Sequence, residues 1–182
     1  MHIFLVIIGI LLASCYHTRA QQAAPLPTNA TLCNPMPLAP VSELGPDFVL
    51  HENINATFQD KSIAFKTVLE KKNDVLTLVA FTSFGTRAFV LQQTGITADV
   101  IESSTKLPVD PLYIFSDIHR VHFFKQGDDN IQESTDADGT LERTIQTQYC
   151  PAGLIKILYF RNKNITIDHA RAGYRLEIIR IP

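Results

Sequence analysis

The sequence predicts a mainly β domain of the α+β class, an antiparallel sheet with at least one helix packed across it. Three observations predict this. From Phe48 onward, apolar and polar residues alternate in successive short runs, the period that sends side chains to opposite faces of a strand. Turn signals separate the runs: Asn73-Asp74, Thr94-Gly95 and Asn162-Lys163-Asn164. A single segment, from Asp110 to about Phe124, carries a helical start and helical spacing instead.

In chain order, Ile54 to Glu70 alternates in part, with Ile63, Phe65, Thr67 and Leu69 on one face and Lys66 and Glu70 on the other. Val75 to Phe84 follows the Asn73-Asp74 turn. Val75, Thr77, Val79 and Phe81 share one of its faces, and Leu76, Leu78 and Ala80 the other. Both faces are apolar, so this strand is expected to be covered on both sides. Gly85 marks a bend before the strand Arg87 to Gln92, and Ile96 to Glu102 forms another after Thr94-Gly95.

Asp110 suits a helix N-cap and Pro111 the first helical position. On a helical projection Ile114, Phe115, Ile118, Val121 and His122 form one arc, with Ser116, Asp117 and Arg120 roughly opposite. Gln126 to Thr140 is polar and acidic and reads as a long exposed loop. Strands return at Leu141 to Cys150, Leu154 to Asn162, Ile165 to His169 and Tyr174 to Pro182, for about eight in all.

The first 46 residues differ in kind. Ile3 to Leu12 is apolar apart from Gly9, the length of a signal-peptide core and short of the ~20 residues that span a bilayer. Leu12-Ala13-Ser14-Cys15 follows and resembles the lipobox of bacterial lipoproteins. The resemblance implies cleavage before Cys15 and acylation of that residue, palmitate being one of the acyl chains. The membrane is then a partner through the N-terminal lipid. Residues 1–14 are read as signal peptide, 15–46 as lipidated Cys and tether, and 47–182 as the folded domain. Thr18-Arg19-Ala20 offers a second cut of the small-x-small kind, which leaves a secreted, non-lipidated protein. Pro25, Pro27, Pro35, Pro37, Pro40 and Pro46 fall between Tyr16 and Pro46 and favour an extended tether.

Acylation of Cys15 leaves Cys33 and Cys150 as an even pair in a compartment that permits disulfides. A Cys33–Cys150 bond is the expectation and two buried thiols the alternative. With a net charge of −2 there is no basic field for nucleic acid. His119 and His122 stand three apart with no identifiable third ligand, and the acidic residues Asp128 to Asp138 miss calcium-loop spacing, so no metal is expected. The motifs of hydrolases, nucleotide-binding enzymes and zinc proteases are absent, so neither an enzyme nor a cofactor is expected.

Phe58-Gln59, Leu76-Thr77-Leu78-Val79, Gly85-Thr86-Arg87-Ala88-Phe89, Leu107-Pro108 and Asp110-Pro111, in this order, resemble a family of uncharacterised bacterial lipoproteins grouped with the lipoprotein carriers LolA and LolB. The match runs from about Asn53 to Lys125. It implies a LolA/LolB-like half-open antiparallel β-barrel, with a hydrophobic cavity that helices cover. The candidate cavity residues are Phe65, Leu76, Leu78, Phe81, Phe89, Ile114 and Ile118, with Arg87 as a head-group candidate. The expected function is that of an outer-membrane lipoprotein facing the periplasm, binding or carrying a hydrophobic or lipidated ligand such as an acyl chain. Its alternatives are a non-catalytic assembly subunit with an envelope protein partner and the secreted form.

Overall fold

A computed structural model describes residues 37–58, 61–104, 107, 110–123, 130–146, 154–169 and 173–181. Cys15, Cys33 and Cys150, with the signal peptide and most of the tether, lie outside the described residues.

Among the described residues, ten antiparallel strands form one sheet. They are β1 (Phe48–Phe58), β2 (Lys61–Lys72), β3 (Val75–Phe81), β4 (Arg87–Thr94), β5 (Thr97–Ser103), β6 (Asn130–Thr135), β7 (Leu141–Gln146), β8 (Leu154–Tyr159), β9 (Ile165–His169) and β10 (Tyr174–Arg180). The helix α1 (Pro111–His122) lies between β5 and β6 in the chain. The spatial order is β5-β4-β3-β2-β1-β10-β9-β8-β7-β6, so the two strands flanking α1 in sequence are the two ends of the sheet. Sequence neighbours pair except for β5 and β6, and β1 closes the centre against β10.

The sheet curls. Flat, β4 and β9 would stand about 24 Å apart, five strand spacings of ~4.8 Å. Phe89 of β4 and Ile167 of β9 nevertheless line one small cavity. Register shifts at Ala80/Phe81 and at Val90/Leu91 supply local bending. With β5 and β6 paired on one side only, the result is a barrel-like, half-open fold.

The helix sits inside the curl, between two apolar clusters. Phe115 packs with Leu69, Leu76, Leu78 and Leu91, and Val121 with Ile145, Ile155, Ile157 and Ile167. Its start is as expected: Asp110 Oδ1 accepts from the Leu112 amide at 2.8 Å, with Pro111 beside it. At its end the Tyr159 hydroxyl donates to the carbonyls of Arg120 and Val121, at 3.4 and 3.2 Å. That hydroxyl also accepts from Arg143 at 3.0 Å.

Several expectations are corrected. Ile54 to Glu70 holds parts of two strands, since Phe48–Phe58 pairs as a hairpin with Lys61–Lys72. The expected loop Gln126–Thr140 contains β6, an edge strand with mostly exposed side chains on both faces. Only the Leu76, Leu78 and Ala80 face of β3 is buried; the Val75, Thr77, Val79 and Phe81 face is half-exposed, because α1 covers one side of the sheet. Ser116, Asp117 and Arg120, placed opposite the apolar arc, are all buried, because the curled sheet meets the helix on more than one side. Before β1, Leu38, Val41 and Leu44 are buried in the core, so the stretch from Pro37 is part of the folded unit.

Candidate functional site

A cavity of about 140 Å³ lies between α1 and the sheet. Its floor is one face of β1, where Glu52, Ile54, Ala56 and Phe58 recur at every second position. The register extends these rows across the sheet. Ile54 stands opposite Ile178, Ala56 opposite Leu176 and Phe58 opposite Tyr174. Leu176 and Tyr174 in turn face Ile167 and His169. On the other side Phe65 and Ile63 stand opposite Ile54 and Ala56. Tyr113, Ile114, Asp117, Ile118 and His122 of α1 form the roof.

Exposure falls from one end to the other along β2 and β10. Along β2, Ile63 is 38% exposed, Phe65 is half-buried, and Thr67 and Leu69 are buried. Along β10, Tyr174 and Leu176 are half-buried and Ile178 is buried. The mouth therefore lies at the Phe58 and Ile63 end, and Glu52 marks the closed end. Six residue steps along β1 separate the two, about 20 Å of extended chain.

Residues 49–182 match the family described as "Protein of unknown function (DUF3261)". The chain belongs to this family. The matched stretch contains every residue that lines the cavity, from Glu52 to Ile178. No curated protein matches the chain.

Of the residues expected in a cavity, Phe65, Leu78, Phe89, Ile114 and Ile118 line this one. Leu76 and Phe81 do not. Leu76 is fully buried in the core cluster with Leu38 and Val41, and Phe81 lies on the half-exposed face of β3. Arg87 is also elsewhere, paired with Glu102 at 3.4 Å on the surface.

The polar groups on the cavity wall escaped sequence reasoning. Near the mouth, the Tyr174 hydroxyl donates to Asp117 Oδ2, and Asp117 Oδ1 accepts from Arg120 at 3.0 Å. Burial, with the Asp117 carboxylate beside it, raises the Tyr174 hydroxyl well above its usual pKa. His169 stacks on Tyr174 at 4.9 Å, and burial lowers its pKa. At the closed end, Glu52 lies 3.6 Å from both His122 Nε2 and Arg180 Nε. One signal was available: Glu52 has the same strand parity as Ile54, Ala56 and Phe58, so a carboxylate was aimed inward by alternation alone.

Behind the cavity a second polar group fixes the helix. Gln93 is fully buried and accepts from His119 Nε2 at 2.8 Å, while its amide donates to the carbonyls of Ala39 and Gly95, both at 2.9 Å. One side chain of β4 thus joins α1, the β4–β5 turn and the segment before β1. Burial lowers the His119 pKa to about 4. Among the described residues, no group of three or more His, Cys, Asp or Glu is arranged to hold a metal ion. None of the described helices is long and apolar enough to cross a membrane.

Proposed function

We propose that the protein is an outer-membrane lipoprotein, anchored through Cys15 and facing the periplasm, whose LolB-like half-open barrel binds or carries a hydrophobic or lipidated ligand. The observation that carries this reading is the cavity: mostly apolar, roofed by α1 and, among the described residues, open at one end. Each methylene moved from water into such a space contributes ~0.8 kcal/mol, so even a short alkyl segment binds measurably. Size decides what enters without rearrangement. A volume of about 140 Å³ is close to that of an engineered cavity that holds benzene and below the usual range of ligand pockets. A ring or short alkyl group fits the space as it stands, and a full acyl chain enters only as α1 lifts.

The test uses the full-length chain carrying Cys15→Ser, exported without a lipid of its own, and a fluorescent acyl probe. Binding is expected, and Ala56→Leu, which fills the floor, is expected to weaken it about tenfold or more, since its added carbons displace ligand methylenes. Absence of probe uptake, with no lipid co-purifying from cells, leaves the assembly-subunit reading in its place. The anchor is tested separately. Palmitate fed to cells is expected to label the wild-type chain and not Cys15→Ser, and an unlabelled wild type rejects lipidation in favour of the secreted form.

A further inference from the structure

We infer that the closed end of the cavity recognises the leading group of its ligand, and that this group is a hydrogen-bond donor, a hydroxyl or an ammonium, and not a carboxylate. The inference rests on the hydrophobic-ligand reading above and names the ligand class for the same site.

Glu52 is 3% exposed, at the end of a row whose other members are Ile54, Ala56 and Phe58. Its Oε1 is buried and accepts no hydrogen bond. Both nearby nitrogens, His122 Nε2 and Arg180 Nε, are held at 3.6 Å, beyond hydrogen-bond reach. Their arrangement explains why neither comes closer. Arg180 spends an N–H on His122 Nδ1 at 3.0 Å. Arginine can only donate, so Nδ1 accepts and the ring proton sits on Nε2, facing Glu52. The two groups thus brace each other beside the carboxylate. Arg180 balances its charge while Oε1 is left without a hydrogen bond. A buried charge without a donor is costly, and a donor arriving on a ligand removes that cost.

The same geometry discriminates. A hydroxyl or ammonium at the tip of an apolar ligand completes Glu52. A carboxylate at that tip meets a like charge in a low-dielectric space. A fatty acid or aromatic acid entering head first is therefore excluded, and an alcohol, phenol or amine with the same apolar body is admitted.

Titration of the full-length Cys15→Ser chain, followed by amide NMR shifts, compares toluene, 4-methylphenol and 4-methylbenzoate, three probes with one apolar body. The phenol is expected to bind about tenfold tighter than toluene, as a hydrogen bond to a charged acceptor implies, and the benzoate to bind most weakly. Glu52→Leu is expected to equalise phenol and toluene. Glu52→Gln, which keeps the shape and the acceptor without the charge, is expected to readmit the benzoate. Equal binding of toluene and phenol by the wild type overturns the inference and leaves the apolar-cavity reading standing, whether or not either variant folds. Failure of all three probes to bind overturns both.

Discussion

Arg120→Met is expected to destabilise the fold by about 3–5 kcal/mol, the range for removing one member of a buried ion pair. Arg120 and Asp117 are both buried, and Asp117 also accepts from Tyr174. Methionine replaces the packing of the arginine stem but leaves the carboxylate buried without its cation. The double variant Asp117→Asn with Arg120→Met is expected to recover much of the loss, because no uncompensated charge remains. Denaturant midpoints of the wild type, both single variants and the double variant close the cycle. A midpoint for Arg120→Met within error of wild type would show that the pair does not hold the fold. The pair matters to the site as well as to stability: Asp117 is on the cavity roof, and through Tyr174 it fastens α1 to β10.

Acidification is expected to weaken the protein through His119. Its pKa is lowered to about 4 in the fold, against 6.5 for an ordinary histidine. Between those two values the unfolded chain binds the proton and the folded chain does not, so stability falls as pH falls. It is fully present above about pH 6.5, is reduced by about 2 kcal/mol between pH 7 and 5, and by about 3 kcal/mol once pH 4 is reached. His169, whose pKa burial also lowers, acts in the same direction. Urea unfolding at pH 7 and pH 5 measures the slope, and His119→Gln, which does not titrate, is expected to flatten it. An equal slope in that variant assigns the pH dependence elsewhere. Because His119 bonds to Gln93, the groups loosened first are those tying α1 to β4.

Alternation and turn chemistry made much of the sheet legible. Asn73 and Lys163, both with positive φ, and Gly85 and Gly95 turn the chain where the sequence marked turns. The helix was legible because Asp110-Pro111 has no other good use than a start. Five cavity residues, Phe65, Leu78, Phe89, Ile114 and Ile118, were named through the family resemblance. What stayed hidden has physical reasons. β6 is polar on both faces apart from Ile131, and at the rim of an open barrel its other side chains are exposed, so it carries no period to read. Ser116, Asp117 and Arg120 read as the wet side of an amphipathic helix, and only the curl of the sheet makes them interior. Leu38, Val41 and Leu44 were masked by the prolines around them, although their contacts are ordinary core contacts. Polar residues of the cavity were missed because Glu52 and Tyr174 come from distant parts of the chain and reach opposite ends of one cavity only through the β1–β10 register.

That register also sets what one strand contributes. β1 and β10 are the first and last of the described strands, yet they are neighbours at the middle of the sheet, with Glu52 opposite Arg180 and Phe58 opposite Tyr174. Pairings so remote in sequence carry a large loop-closure cost. Until the final strand docks, the molecule is two half-sheets, β5 to β1 and β9 to β6, each with a bare edge along what becomes the cavity floor. The binding site therefore depends on β10: without it the two half-sheets are not joined, and the cavity loses Tyr174, Leu176 and Ile178 from its lining.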